Sequence, residues 1–267
     1  MMLRNPREGA NGQPSENVFQ ALDERTGEIL GSCVITGERK PALYPNRPHQ
    51  VRLEFDGGQE ALDPLLGAAL ARARAMCIAE KEPARIYVRC APDDAELLDL
   101  LKPYGFKDND GIVRMRRNLP ARNPFRTPTG CVVVKDALED PQERKYFLER
   151  YNELYGTDYD GQWLREFTDA PGFQRFLTVA PTGMAGEVVL WRADGYGQIG
   201  FLQTARRWRH MGVAKYMLGL ACDAISEMGP RVARADVRAK IPYILSTMEA
   251  AGFYQETLIT RYPGIDV

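Results

Sequence analysis

The sequence predicts an α/β (α+β) fold built as two tandem copies, and three observations lead there. Short runs with strand-like alternation interleave with longer runs of helical spacing. A proline-rich stretch without apolar periodicity, "LPARNPFRTPTG" (Leu119 to Gly130), interrupts them and reads as a linker. The two sides of that stretch also resemble each other. "ARIYVRC" leads into a helical run ending in "YGF" on one side, and "RVARADVRA" leads into a helical run ending in "AGF" on the other. Val88 and Val237, and Gly105 and Gly252, are displaced by nearly equal distances along the chain, the mark of a duplication. The expected layout is a polar, mobile tail over 1–16, a first domain over 17–118, a linker over 119–129 and a second domain over 130–267.

In the first half, Val51, Leu53 and Phe55 alternate as in a half-buried strand. The loop "DGGQEALD" follows, then a helix from about Pro64, a favoured first helical residue, with Leu66, Leu70, Ala73 and Cys77 as its apolar stripe. Strand "RIYVRC", a helix from Asp93 to about Tyr104 and strand "IVRM" complete this half. The second half opens with strand "CVVV", the helical "DPQERKYFLERYNELY" and strands "FQRFLTVA" and "GEVVLWRA". Strand "QIGFLQ" then runs through a basic loop into a helix whose buried face is Val213, Met217, Leu220, Ala221 and Ile225. Gly229 and Pro230 stop that helix.

Composition narrows the functions open to such a fold. A net charge of -1 gives no global basic field, which argues against non-specific nucleic-acid binding. No apolar run approaches the ~20 residues that span a bilayer. The polar amino terminus has no apolar signal core, so the expected compartment is the cytoplasm. Five scattered cysteines without a C-x-x-C pair read as reduced, buried thiols, and two histidines give no zinc spacing.

The most informative stretch is "TARRWRHMGVAKYML", Thr204 to Leu218. Three arginines (Arg206, Arg207, Arg209) precede Gly212, where the helix begins. The first amides of a helix lack internal partners and carry a partial positive charge, so an uncluttered helix start attracts phosphate. Gly212 and the small Ala214 keep the backbone accessible, and Arg209 can add a charge-assisted contact. The matching stretch of the first half carries Asp56, Glu60 and Asp63 instead, which would repel an anion. The spacing is neither a Walker A motif nor a dinucleotide-binding glycine motif.

Arg209-His210-Met211-Gly212-Val213-Ala214 resembles the [QR]-x-x-G-x-[GA] loop of the GCN5-related N-acetyltransferases (GNATs), with "V-R" and "A-G-F" following downstream in order. The resemblance covers about 130–267; the first half matches in layout only and reads as a degenerate copy, truncated before its second strand. It implies two tandem GNAT-like domains, each a mixed, mostly antiparallel twisted sheet flanked by helices. Acetyl-CoA would lie in a split between two central parallel strands, Gln198–Gln203 and Arg234–Val237. Phe201, Leu202 and Gln203 would meet the pantetheine and acyl group, and Arg207, Arg209, His210, Met211, Gly212, Val213 and Ala214 the pyrophosphate. An amine would attack the thioester directly, with backbone amides near Phe201 and Leu202 polarising the carbonyl.

The chain departs from the family in its proton-handling groups. "YGQIGFLQTA" carries no acidic residue where members of the family hold a base, which leaves water or Glu187 on the neighbouring strand for that role. The position of the family's acid tyrosine is Met248; Tyr243 lies five residues earlier, about 140° round a helix, and is the remaining catalytic candidate. Glu153, Tyr155, Asp158, Asp160 and Trp163 would greet a cationic amine, or form only the solvent face of a helix. The expected function is acyl-CoA-dependent N-acyl transfer, with acetyl-CoA as cosubstrate and a small-molecule or peptide amine as acceptor. No nucleic acid, membrane or metal is expected, and a homodimer is left open. The alternative is a non-catalytic tandem protein that binds CoA or a partner.

Overall fold

The computed structural model describes residues 1–41, 43–121, 123–155 and 157–267, without the side chains of Tyr155, Phe167 and Pro242. The chain forms two compact units. The first is built mainly from Met1–Gly111 and Thr260–Val267, the second from Ile112–Asn152 and Thr157–Ile259.

The first unit holds strands β1 (Met2–Arg4), β2 (Val18–Leu22), β3 (Ile29–Arg39), β4 (His49–Gly57) and β5 (Ala84–Val88), and helices α1 (Gln59–Glu80) and α2 (Ala95–Leu101). Its core is the face on which α1 lays Leu65, Leu66, Ala69, Leu70, Ala73 and Cys77 against Ile35, Val51, Leu53 and Ile86. Three expectations change here. The amino-terminal segment is no free tail: Met2–Arg4 pair with β2, and Asn5 donates to the carbonyls of Ser15 and Val18. Strands are present before β4, and the segment between β1 and β2 carries an Ala10–Gln13 bridge and one 3-10 turn, Ser15–Asn17, in place of an α-helix. Helix α1 starts at Gln59 rather than near Pro64, because β4 runs on to Gly57 and Gly58 takes the cap position.

The second unit holds β6 (Gly111–Asn118), β7 (Val132–Asp136), α3 (Pro141–Tyr155), α4 (Gly161–Thr168), β8 (Gln174–Ala180), β9 (Gly183–Ala193) and β10 (Tyr196–Thr204). It continues through α5 (Val213–Glu227), β11 (Val232–Arg238), α6 (Pro242–Ala250) and β12 (Tyr254–Arg261). The last strand is β13 (Gly264–Asp266). Val213, Met217, Leu218, Ala221, Cys222 and Ile225 of α5 pack onto Val188, Leu190, Ile199, Ala233 and Ala235 of the sheet. The proline-rich stretch also packs here. Phe125 lies on this core, Lys215 sits over its ring, and Thr127 bonds to Tyr216.

Sheet order among the described residues is β1-β2-β3-β4-β5-β13 in the first unit and β12-β6-β11-β10-β9-β8-β7 in the second. Strand "IVRM", expected in the first half, therefore runs in the second sheet, paired with β11 from Val232↔Asn118 to Arg238↔Ile112. The carboxy-terminal β13 completes the first sheet. Arg85 of β5, almost wholly buried, holds it through Asp266 (2.9 Å) and the Tyr262 carbonyl (3.0 Å). Each sheet has one central parallel pair, β4–β5 and β10–β11, and the other pairs with a described register are antiparallel. Among the described residues no helix is long and apolar enough to cross a membrane. The five cysteines are free thiols, and burial pushes those of Cys33 and Cys222 up to about 12 and about 11.

Candidate cofactor and acceptor site

The two central parallel pairs differ in one respect that matters chemically. In the first unit β4 and β5 stay paired over five rungs, from His49↔Ala84 to Leu53↔Val88. In the second, β10 and β11 share only Gly197↔Ala233 and Gln198↔Arg234 before they part. From there β10 pairs only with β9, and β11 only with β6. Main-chain groups of Gly200–Thr204 and Ala235–Arg238 therefore face a wedge with no strand partner among the described residues. Backbone groups in that state need a partner from solvent or ligand.

A bulge in β10 marks the start of the wedge: its register against β9 shifts between Ile199 and Phe201. Gly200 sits in the bulge because the Trp191 indole occupies the space of a side chain there, with ring atoms 2.0 and 2.2 Å from where a Cβ would be. The bulge aims Phe201 into an aromatic cluster. Its ring lies 5.4 Å from Phe147 and 5.5 Å from Tyr151, and Tyr151 in turn lies 4.7 Å from Trp163. Tyr159 stacks on Trp163 at 4.4 Å and is the most exposed of these rings. Burial, and secondarily the neighbouring Tyr159, pushes the Tyr151 phenol up to about 12, so it stays protonated at neutral pH.

Beyond β10 the chain makes a 3-10 turn, Arg206–Trp208, before α5. His210 (φ 64) and Gly212 (φ 82) both take the left-handed conformation. Gly212 occupies the cap position of α5 and offers no capping side chain, whereas Asp94 caps α2 and Asp160 caps α4. A Cβ on Gly212 would meet no atom within 4 Å, so the space before the α5 amides is open. It is the backbone conformation, rather than crowding, that calls for glycine there. Arg206, Arg209, His210 and Met211 are exposed around this end, and neither Arg206 nor Arg209 has an ion-pair partner among the described residues. Arg207 donates to the Thr182 carbonyl of the β8–β9 turn. Val213 points its side chain into the core, leaving only its amide on the open side, and Ala214 is half-buried. The first unit has no comparable loop: a single residue, Gly58, separates β4 from α1, and Glu60 stands in the first turn.

Glu187 is placed differently from a base. Its side chain is fully buried on β9; Oε1 accepts from Arg175 Nε at 2.5 Å, and its two oxygens lie 3.1 and 3.3 Å from Arg150 Nη2. Arg175, itself 1 % exposed, also pairs with Asp136 and Glu143. A carboxylate shared between two arginines has its lone pairs committed, so it is an anchor between sheet and α3. Tyr243 stands 57 % exposed in the first turn of α6, and Met248 is buried in the core.

Of the acceptor-side residues, Asp160 is spent on capping α4. The amides of Trp163 and Gln162 lower its carboxyl below the ordinary value. Glu153 and Asp158 are exposed, Trp163 joins the aromatic cluster, and the Tyr155 side chain lies outside the described residues. Sequence reading missed Arg150, Arg175 and the Phe147–Tyr151 floor. The Phe147/Tyr151 spacing of four and the lone glycine within "QIGFLQ" were the available signals. Among the described residues no group of three His, Cys, Asp or Glu side chains is arranged to hold a metal ion.

No protein-family model matches the sequence, and no curated protein does. Solved structures do match. A GCN5-related N-acetyltransferase from Sphaerobacter thermophilus superposes over 96% of this chain and 82% of its own, with a TM-score of 0.54 and 14% identity. A conserved protein of unknown function from Enterococcus faecalis, described as a probable N-acyltransferase, covers 92% of this chain and 61% of its own (TM-score 0.52, 13% identity). A GCN5-related glucosamine N-acetyltransferase region of a fungal multi-domain GH3 β-N-acetylglucosaminidase covers 93% and 33% (TM-score 0.51, 13% identity). The protein has the GCN5-related N-acetyltransferase fold. At these identities the likeness speaks for the GNAT fold alone. Within that fold, the wedge and the arginine-flanked loop before α5 belong to the second unit.

Proposed function

We propose that the second unit is an acetyl-CoA-dependent N-acetyltransferase that moves the acetyl group to a primary amine by direct attack in a ternary complex. The observation that carries the reading is the wedge between β10 and β11, which lies directly before an uncapped, arginine-flanked start of α5. Open space at Gly212 and the wedge-facing edge of Gly200–Thr204, which has no strand partner on the β11 side among the described residues, fit a long ligand with an anionic end and an amide-bearing arm. The amides of Val213 and Ala214, with Arg209, would hold the pyrophosphate, and Phe201, Leu202 and Gln203 would line the arm. His210 and Met211 would border the phosphates, while Arg207 steadies the loop through Thr182. Acetyl-CoA supplies an acyl group activated as a thioester.

The residues of this chain orient the reactants and exclude water. Phe201, Phe147 and Tyr151 form an apolar wall beside the bulge. Backbone amides at the bulge are the available donors for a developing oxyanion. The amine lone pair forms the C–N bond, the C–S bond breaks with its electron pair leaving on sulfur, and the proton released by the nitrogen passes through solvent water to the thiolate. A thiol pKa near ~8.5 makes thiolate a tolerable leaving group without a dedicated acid, consistent with buried Met248 and exposed Tyr243.

Thiol release from acetyl-CoA against a panel of primary amines tests the reading. Steady turnover in the parent and its loss in Gly212→Asp are expected. The double arginine hold on Glu187 favours one second reading, a CoA-binding protein without turnover. Saturable binding with no thiol release from any amine would select that one.

A further inference from the structure

We infer that the acceptor nitrogen is an α-amino group, free or at a peptide terminus, and that Gln203 is the residue that orients it; this rests on the acetyltransferase reading above. Gln203 stands directly opposite Glu187 in the β10–β9 register, so the two side chains share the sheet face that carries Arg175 and α3. Its Oε1 is buried and has no hydrogen-bond partner, and neither does Arg150 Nε on the helix above. A buried carbonyl oxygen without a donor is costly, and a group that brings an N–H to it is favoured there. The atom lies on the strand that borders the wedge, two residues beyond Phe201. An amine nitrogen that donates one hydrogen to Gln203 Oε1 keeps its lone pair for attack.

The same surroundings limit which amines can react. The charged and titratable groups on this face include Glu187 on β9, Arg175 on β8, Asp136 on β7, Glu143, Arg150 and Tyr151 on α3, and, across the wedge, Arg234 and Asp236 on β11 with Arg114, Arg116, Glu256 and Tyr196 beside them. These carboxylates are all held by arginines, and β10 contributes none. With no free base at hand, the amine has to arrive already deprotonated. At pH 7.5 an α-amino group of pKa near ~7.8 is roughly one-third neutral, while an ε-amino group of pKa near ~10.4 is neutral about once in a thousand. The greater nucleophilicity of the more basic nitrogen offsets part of that gap. With a nucleophilicity slope of about 0.5 per pKa unit, an advantage of roughly tenfold in kcat/KM remains for the α-amine. An amide in place of a carboxylate at Gln203 therefore acts as a filter on basicity.

The test compares three acceptors with saturating acetyl-CoA: a free amino acid, a short peptide with a free amino terminus, and the same peptide with its terminus blocked and one lysine retained. In the parent, α-amines should lead at pH 7.5, and kcat/KM should rise with pH only to the pKa of the acceptor itself. The free amino acid and the peptide then distinguish the two sources of the α-amine. Gln203→Met, close in size but without the acceptor oxygen, should lower kcat/KM for the α-amine at least about tenfold when acetyl-CoA is held saturating for that variant, its own Kd being measured first. Gln203→Glu should raise activity on the lysine peptide relative to the α-amine. Equal or better use of the lysine peptide at pH 7.5 overturns the inference, as does a Gln203→Met enzyme with parental kinetics or no turnover of any α-amine by protein that binds acetyl-CoA. Failure to bind acetyl-CoA at all overturns the underlying acetyltransferase reading instead.

Discussion

Glu187 Oε1 and Arg175 Nε meet at 2.5 Å, and both side chains are essentially closed to solvent. Removing one partner from a buried pair costs about 3–5 kcal/mol when the other charge is left bare. Arg175 keeps Asp136 and Glu143, so Glu187→Ala should lower the urea-unfolding free energy of the second unit by less than that, about 1–3 kcal/mol. Arg175→Met combined with Glu187→Leu should cost clearly less than the two single changes added together. Additive losses would show that the two residues are not coupled.

Gly212 makes the loop readable by thermal shift. A ligand at a hundredfold excess over its Kd stabilises the native state by about 2.7 kcal/mol, so acetyl-CoA should raise Tm by roughly 5–10 °C. Gly212→Asp should abolish the shift, and Arg209→Ala should reduce it. Because Gly212 sits at φ 82, any side chain there also strains the backbone by about 1–2 kcal/mol. Each variant is therefore compared with its own ligand-free Tm. A parental shift in Gly212→Asp would reduce the loop to a basic turn.

One binding event per chain is expected by isothermal calorimetry. β4 and β5 remain zipped through Leu53↔Val88, and one residue joins β4 to α1, so the first unit offers neither a wedge nor a loop. A stoichiometry near two would contradict this.

Tyr243 is 57 % exposed, and its main-chain oxygen accepts from the hydroxyls of Ser246 and Thr247 of its own helix. Tyr243→Phe should leave kcat within about tenfold. A loss beyond about a hundredfold, at the lower end of general-acid contributions, would assign it the acid role.

Tyr151 gives a pH signature. Its folded pKa of about 12 exceeds the ordinary phenol value of 10.0, so its contribution to stability is intact below about pH 10 and is lost as pH rises toward 12. Tyr151→Phe should flatten the alkaline fall in Tm over that window. An unchanged slope would mean that the phenol is not desolvated in solution.

The sequence by itself determined the alternation of strands and helices and the position of the basic loop before α5. Those features depend on local periodicity and on residue types next to one another: Val213, Met217 and Ile225 face inward because a helix turns every 3.6 residues. The contrast between Glu60 beside one helix start and Arg209 beside the other was equally legible. Only the tertiary structure decided the rest, because it depends on residues far apart in the chain. Glu187 looked like a free carboxylate until folding brought Arg150 and Arg175 onto it. "IVRM" carries the pattern of a strand but not the name of its partner, and it pairs with β11 more than a hundred residues away. The wedge is a failure of pairing between β10 and β11 beyond Gln198 and Arg234, and pairing is a property of two strands, written in neither one alone.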